Sequence, residues 1–453
     1  MRRRLFLAVV AGSAALVTSA CTTPGTAPSE QTSTTPGASA SAVSTDISAL
    51  PQQTLSVWTA ESGERLKLLQ ELGTKFEAAH PNVKVSWTVR DFGSYPAQIK
   101  LALSSNDGPD VAIGNLGWSL DGPLIKAGLF RPLDDYATAY GWDERYPEIG
   151  LRQLKFTADG KTYGEGPIWG VPYAADVIGW FYNVKQLEAT GLPVPATMAD
   201  LEKVLAASKA AGQQPIVLGN KDAWPAWHLA YNLINQYASA DTVTGIVYNT
   251  GGATWTDPAI GQALEKMVEW SKAGYISKDV NSIAQADASA GFIKGKGLFF
   301  PAGSWEAAAM PPEGFGFFLT PPLQAGTPAR ATGSFGYAFH VAANSDKVPA
   351  AAAFLDFVSD EDAARAFFAD GDIAPLPVAD PQLKQGKVYA DIYDAWKTVL
   401  GNDALLPYLE FATPTSGEIL YPTLQKLLAG KEKVADALPA IEADRQKFVA
   451  SNG

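Results

Sequence analysis

One short stretch of the sequence, WGVPYAADVIGWFYN at residues 169–183, surrounds a single carboxylate with aromatic side chains. The acid is Asp176, and Tyr173 stands three residues before it. A sugar needs such surroundings, because its C–H faces lie on indole or phenol rings while its hydroxyl groups donate to carboxylates. A buried strand has the same composition, so the stretch predicts either a carbohydrate site or a core strand.

Further candidates lie in turns after predicted strands, where a parallel sheet gathers side chains at its carboxyl edge. Trp305 follows a glycine-rich turn, which favours a functional role over a place in a regular core. Trp224 and Trp227 are three residues apart at a helix start, and we expect at least one to reach a ligand, although such pairs are often core. The other candidates have equally good explanations as solvated, hinge or core residues: Glu61, Asn115, Trp118, Glu306 and Phe335.

The sequence lacks the patterns of most catalytic and metal sites. His80, His228 and His340 are far apart and do not have metal-ligand spacing, and Cys21 is the only cysteine. Neither a Walker A loop nor a G-x-S-x-G elbow is present. We therefore expect no cofactor, no metal and no enzymatic activity, with a glycosidase pair of carboxylates as the alternative that spacing alone leaves open.

Length and charge restrict the class of protein. A chain of 453 residues with 47% hydrophobic residues can build two lobes with separate cores. The formal net charge is −12, and basic residues cluster only at the N-terminus. Because phosphate binding requires clustered Lys and Arg, a nucleic-acid partner is excluded.

The N-terminus has the pattern of an export signal over residues 1–20, with three arginines before an apolar run that is too short to span a membrane. Cys21 follows it where the lipobox of bacterial lipoproteins has its acylated cysteine, although Thr18 replaces the usual Leu. We expect a lipid anchor on Cys21 and a flexible linker over 21–52, which is rich in Ser, Thr, Pro and Ala. An ordinary cleaved signal and a twin-arginine route both stay open.

From residue 54 onward, strand and helix patterns alternate. Strands are predicted at 55–59, 83–89 and 109–115 with amphipathic helices between them, which indicates a parallel sheet covered by helices. A second block has predicted strands at 215–220 and 297–305. Helices separated by loops are expected from Tyr389 to Phe448.

Several stretches together resemble the carbohydrate-binding class of extracellular solute-binding proteins that serve ABC importers, the family that includes maltose-binding protein. They occur in the family's order: LSVWT with AAHPNVKV, PDVAIGN with LIKAGLFRPLDDY, GVPYAADVIGWFYN with LEATGLPVPATMADL, FIKGKGLFFPAGSWEAAA, and GSFGYAFHVAANSDKVPAAAAFLDFVSDEDAARAF. The resemblance implies two Rossmann-like α/β lobes joined by a multi-segment hinge, the type II periplasmic-binding-protein-like fold. It places the N-terminal lobe at 53–174 plus 337–378 and the C-terminal lobe at 175–336 plus 379–453.

The resemblance also implies roles and partners. Asp176 stands seven residues before Asn183, where the family has an acid that binds sugar hydroxyls, and Trp305 matches a Gly-x-Trp turn that supplies a stacking platform. The expected protein is a monomeric receptor, anchored at the outer face of the cell membrane through Cys21, that delivers a mono- or oligosaccharide to permease subunits. A receptor for a polyamine or another cationic solute is the alternative, since acids and aromatic rings also suit cations.

Overall fold

The structure, a computed structural model, describes residues 43–105 and 107–452. The predicted export signal, Cys21 and most of the predicted linker lie outside the described residues. The strands are β1 Gln53–Thr59, β2 Val83–Val89, β3 Val111–Ile113, β4 Lys155–Phe156, β5 Tyr163–Ile168, β6 Val171–Pro172, β7 Asp176–Asn183, β8 Phe299–Gly303, β9 Phe315–Phe318, β10 Ala331–Ser334, β11 Ala338–Val341 and β12 Leu405–Leu406.

Helices cover both sheets. Before the second sheet come α1 Gly63–Ala79, α2 Tyr95–Leu103, α3 Asp121–Lys126, α4 Asp134–Tyr140, α5 Trp142–Arg145 and α6 Glu148–Leu151. The others are α7 Val184–Ala189, α8 Met198–Ala210, α9 Pro225–Tyr237, α10 Ala240–Tyr248, α11 Pro258–Lys272, α12 Gln285–Ile293, α13 Val348–Phe357, α14 Glu361–Asp370, α15 Lys387–Gly401, α16 Ser416–Leu428 and α17 Val434–Asn452. The last three confirm the helices expected near the C-terminus.

The first sheet has the strand order β2-β1-β3-β11-β6. Strands β1, β2 and β3 are parallel, as the alternating pattern predicts, whereas β11 runs antiparallel to β3 and β6. The carboxyl ends of β1 and β3 therefore meet at one edge, where Glu61 and Asn115 follow them.

The second sheet has the strand order β12-β10-β7-β8, with β9 also paired to β7. Strand β7 is antiparallel to β8, β9 and β10, and it is buried from Asp176 to Tyr182 because it lies at the centre of the sheet. Strand β12 runs parallel to β10, so the chain leaves both at the same edge. That edge is where β7 begins.

The chain crosses from one sheet to the other in two short segments. One lies between β6 and β7, and the other between β10 and β11. A third segment, which follows α14, lies beside the first crossing. There the Ala175 N–H donates to the Ile373 carbonyl at 2.8 Å. The residue limits of the lobes remain a prediction. Two of the three expected limits, 174/175 and 336/337, fall within the crossings, and the third, 378/379, falls between α14 and α15.

Side-chain caps fix the starts of two helices as the sequence predicts. Thr197 Oγ1 accepts a hydrogen bond from the Asp200 N–H and donates to the Asp200 carboxylate, which opens α8. Asp257 accepts from the Ala259 N–H, and Pro258 occupies the first position of α11.

Two sequence expectations need correction. The predicted strand at 215–220 is reduced to isolated bridges from Ile216 to Ile276 and Phe299, because one residue pairs with two partners before the backbone diverges. The predicted flexible linker ends before residue 52. Ile47 is only 1% exposed, and the Asn82 side chain donates to the Ile47 and Leu50 carbonyls at 2.8 and 3.1 Å.

Among residues 43–105 and 107–452, no helix has both the length and the apolar character needed to cross a membrane.

We predict that Ile47→Ala lowers the free energy of unfolding by about 2–4 kcal/mol, because it empties a packed position. Thr45→Ala, at an exposed position two residues earlier, is the control and should change it by less than about 0.5 kcal/mol. Urea denaturation of both variants measures the difference. Equal stabilities would mean that this segment does not dock on the first lobe.

Candidate functional site

Asp176 lies at the start of β7, where the chain enters the second sheet. It pairs in register with Ser334 at the end of β10. Its carboxylate accepts hydrogen bonds from Ser334 Oγ at 3.0 Å and from the Tyr408 hydroxyl at 2.6 Å. The acid is 8% exposed, and burial raises its pKa to about 6, although the two hydroxyl groups oppose that rise. Asp176 is therefore a desolvated acceptor in a fixed orientation.

A second carboxylate belongs to the first lobe. Glu61 follows β1 and accepts from the Tyr173 hydroxyl at 2.6 Å, while Arg65 Nη1 lies 3.5 Å from its Oε1. Arg65 also donates to both carboxylate oxygens of Asp372, at 2.5 and 2.8 Å, in a bidentate pair. Burial raises the pKa of Glu61. This cluster ties α1, the first crossing and the segment after α14 together.

Tyr337, in the second crossing, is influenced by both acids. Its pKa is raised by burial and by the negative charges of Glu61 and Asp176. The Phe92 ring, which is 44% exposed after β2, lies 5.7 Å from the Tyr337 ring. The charges of one acid from each lobe thus act on the same tyrosine at the crossing.

An aromatic wall formed by Trp224, His228, Trp305 and Tyr408 lies beside Asp176 in the second lobe. The His228 ring lies 4.9 Å from Trp224, 5.5 Å from Trp305 and 5.8 Å from Tyr408. Burial lowers the pKa of His228 to about 3, so the imidazole is neutral and packs as an aromatic ring. Trp224 and Trp305 remain partly exposed, which leaves ring surface for a ligand.

Glu306 has a different surrounding from Asp176. Its two carboxylate oxygens accept from Gln285 Nε2 at 3.2 Å and from Ser289 Oγ at 2.6 Å, both on α12. Burial raises its pKa. These bonds hold the 3₁₀ turn Ser304–Ala309 against α12, and therefore position the adjacent Trp305.

Three predicted site residues belong to the core instead. Trp227 is fully buried, donates from Nε1 to the Leu420 carbonyl and packs edge-on against Trp255. Trp118 and Phe335 are also buried, the first against Phe156 and Phe448, the second against Tyr146 and Trp396. The sequence left a ligand-binding role and a core role open for each of these residues, and the structure favours the core role because packed side chains cover all three.

Two further candidates have structural partners. Tyr173 is 1% exposed and bonds to Glu61, so it positions that acid from beneath. Asn115 is partly buried, and its N–H donates to Asp121 Oδ1 at 2.9 Å. The next turn has Leu116 at φ 39° and Gly117 at φ 56°. A Cβ on Gly117 would approach Phe411 within 2.4 Å, so this turn touches the second lobe.

Sequence reasoning missed several residues of the site. Arg65, Ser334, Tyr337, Asp372, Tyr408 and Glu410 all join the polar cluster described above or lie beside it. Tyr408 and Glu410 follow the short apolar strand β12, and their alternation with the apolar residues Leu409 and Phe411 in PYLEF was the available signal. Within the described ranges, no group of His, Cys, Asp and Glu has the arrangement of a metal site.

Comparison with known proteins gives a family and a fold. The profile of the family described as bacterial extracellular solute-binding protein matches residues 60–365. A multiple sugar-binding protein of Streptococcus mutans is 24% identical over 329 residues, or 70% of this chain and 73% of that protein. An uncharacterized ABC transporter extracellular-binding protein of Pyrococcus horikoshii is 27% identical over 256 residues, or 56% of this chain and 57% of that relative. This chain thus spans little more than half of the latter.

A solved structure of a chitin oligosaccharide binding protein has a TM-score of 0.75 to this chain at 21% identity, covering 88% of this chain and 100% of the other. The likeness confirms the predicted two-lobe α/β fold.

The raised pKa of Asp176 predicts how its replacement changes stability with pH. The folded state keeps this proton up to about pH 6, whereas the unfolded state releases it near 3.8, so the contribution to stability is full below 3.8 and is lost as pH rises through 6. Asp176→Asn should therefore stabilise the free protein at pH 7.5, by up to ~3 kcal/mol, and much less at pH 4.

Urea denaturation at both pH values measures this difference. Glu188→Gln, at an exposed position on α7, is the control and should show little change at either pH. A stability difference between wild type and Asp176→Asn that is the same at both pH values would contradict the desolvation of this carboxylate.

Proposed function

Because the chain belongs to the bacterial extracellular solute-binding protein family, we propose that it is the receptor of an ABC importer and captures a mono- or oligosaccharide between its lobes. One observation carries the choice of ligand: the aromatic wall stands directly beside the buried carboxylate of Asp176, through the hydrogen bond from Tyr408. A flat apolar surface next to an oriented acceptor matches the two faces of a pyranose ring.

Two groups have distinct roles in this proposal. The exposed parts of the Trp224 and Trp305 rings stack on the C–H faces of the sugar, while Asp176 accepts hydroxyl donors. Asp176 is already desolvated in the free protein, so a ligand that donates to it supplies hydrogen bonds that water supplies poorly at this depth.

Contacts from both lobes explain transport without covalent chemistry. Glu61 follows β1 of the first sheet and Asp176 begins β7 of the second, and the charges of both raise the pKa of Tyr337 in the crossing. A ligand that touches both acids binds the closed arrangement better than the open one and shifts the equilibrium towards closure. The closed form is then the signal that the permease subunits recognise.

Relatives support a saccharide. The printed names of the Streptococcus mutans relative and of the structurally similar protein refer to multiple sugars and to chitin oligosaccharide. A cationic solute is the second candidate, since Glu61, Asp176 and Glu410 are acids in one region and the Arg65 guanidinium is engaged by Asp372.

Membrane attachment is also part of the proposal. Lipidation of Cys21 after export, followed by the Ser-, Thr- and Pro-rich segment, would hold the receptor at the outer face of the cell membrane near the permease. The receptor is proposed to act as a monomer.

Calorimetric titration of the purified protein tests the ligand. We expect binding of at least one of maltotriose, raffinose and N,N′-diacetylchitobiose, and no binding of spermidine. Binding of spermidine alone would select the cationic candidate, while hydrolysis of any of the saccharides during the titration would contradict a receptor.

Two tryptophan variants separate the site from the core. Trp305→Ala should weaken binding of the saccharide about tenfold through loss of stacking, with little change in the melting temperature of the free protein. Trp227→Ala should lower the stability of the free protein by about 3–5 kcal/mol, because that ring is fully buried. Full affinity in Trp305→Ala would place the ligand elsewhere.

For the anchor, Cys21→Ala should move the protein from the membrane fraction to the soluble exported fraction and leave saccharide affinity unchanged. Fractionation of cells that express each form, followed by titration of the purified proteins, measures both properties. Retention of the variant in the membrane at the level of the wild type would argue against lipidation at Cys21.

A further inference from the structure

Glu410 is a carboxylate of the second lobe that sequence reasoning did not select. It lies in the 3₁₀ turn Leu409–Ala412, which follows β12. Because β12 is parallel to β10, the turn emerges at the edge where Ser334 bonds to Asp176. Its neighbours Leu409 and Phe411 are buried, whereas Glu410 is partly exposed.

Two tyrosines hold one oxygen of this carboxylate. Glu410 Oε2 accepts from the Tyr231 hydroxyl at 3.3 Å and from the Tyr421 hydroxyl at 3.1 Å, on α9 and α16. Within the part of the chain that the structure describes, Oε1 has no hydrogen-bond partner and is not among the buried unsatisfied atoms. The side chain is thus oriented through Oε2 and leaves Oε1 accessible.

Glu410 belongs to the same polar cluster as Asp176. Tyr408, two residues before it, donates to Asp176, and the Tyr231 and Tyr408 rings are 6.3 Å apart. The charges of Asp176 and Glu410 both contribute to the raised pKa of Tyr337. Glu410 is therefore linked to the aromatic wall through Tyr231, which bonds to it and whose ring lies beside the Tyr408 ring of that wall.

We propose that Glu410 is a second ligand-binding carboxylate of this lobe, which accepts a hydrogen bond from a saccharide hydroxyl through Oε1 while Tyr231 and Tyr421 position it. The proposal rests on the proposed function and deepens it. Two oriented acceptors on one lobe bind two hydroxyl groups of the same sugar. They therefore favour sugars whose hydroxyl groups have the matching spacing, which one acceptor alone does not do.

The titration of Glu410 gives this role a distinctive signature. Burial raises its pKa to about 6, as it does for Asp176, while the hydroxyl groups of Tyr421 and Tyr231 oppose the rise. Ligand hydroxyl groups donate to the charged form, so affinity falls as pH drops below about 6. Tyr231 and Tyr421 bond to Glu410, and the charge of Glu410 also raises the pKa of Tyr408 and Tyr337. All four tyrosines stay neutral in this range, because burial raises the pKa of each.

Calorimetry with maltotriose, raffinose and N,N′-diacetylchitobiose between pH 5 and 8 tests the role, with Glu410→Gln compared against Glu418→Gln. Glu418 lies eight residues later at an exposed position outside the site, so Glu418→Gln also removes one negative charge but not from the site. Glu410→Gln should weaken binding about tenfold at pH 7.5. At pH 5, release of the saccharide from the wild type should be accompanied by uptake of about two protons, one at Asp176 and one at Glu410. Release from Glu410→Gln should be accompanied by uptake of about one.

A positioning variant adds an independent measurement. Tyr421→Phe removes one hydroxyl donor to Glu410 but keeps the carboxylate of Glu410. Because that donor stabilises the charged form, its loss should raise the pKa of Glu410 and move upward the pH at which affinity falls. Tyr421→Phe should retain most of the affinity at pH 8, where Glu410 is charged in either protein.

Each outcome decides a separate statement. If a saccharide binds and Glu410→Gln retains wild-type affinity and proton uptake, Glu410 only braces the two tyrosines, and the inference is wrong while the proposed function stands. If none of the three saccharides binds the wild type, the proposed function fails and the role of Glu410 fails with it.

Discussion

The desolvation of one carboxylate governs the arrangement of the site. Asp176 must stay in a fixed place because it begins the central strand of the second sheet, and burial there is unfavourable for its charge. Hydrogen bonds from Ser334 and Tyr408 offset part of this cost. Ser334 ends β10, and Tyr408 lies in the segment after β12. Three distant parts of the chain are therefore tied to one acid at the point where the lobes join.

The same constraint links stability to binding. A carboxylate that is held charged in a buried place lowers the stability of the free protein. The same carboxylate gains most from a ligand that donates hydrogen bonds to it. Ligand binding and fold stability therefore oppose each other at Asp176. The Arg65–Asp372 pair at the other side of the crossing is different. Its bidentate geometry satisfies both groups internally, which suits a structural tie between α1 and the segment after α14.

Interpretation of single residues from the sequence had uneven success. Asp176 and Trp305 lie in one region, where a partly exposed ring belongs to the aromatic wall beside a buried acid, and their ligand-binding roles stay a prediction. Trp227 has the same residue type and lies next to the same helix start as Trp224, yet it is fully buried. The spacing of three residues places two rings on one helix face but does not state which of them another helix covers.

Periodicity, capping residues and glycine-proline breaks act over a few neighbouring residues, so the sequence alone indicated the order of most strands and helices. The family and the two-lobe fold came from the resemblance of several ordered stretches to solute-binding proteins, and the family match and the structural likeness confirm both. It also selected a binding protein over an enzyme, which the family match confirms. Tertiary structure decided which aromatic rings keep exposed surface and that Ile47 docks on the first lobe. It also decided that Tyr408 bonds to Asp176 while Glu410 bonds to Tyr231 and Tyr421. Burial and hydrogen bonding between residues more than two hundred positions apart depend on how whole elements pack, and no local pattern encodes that packing.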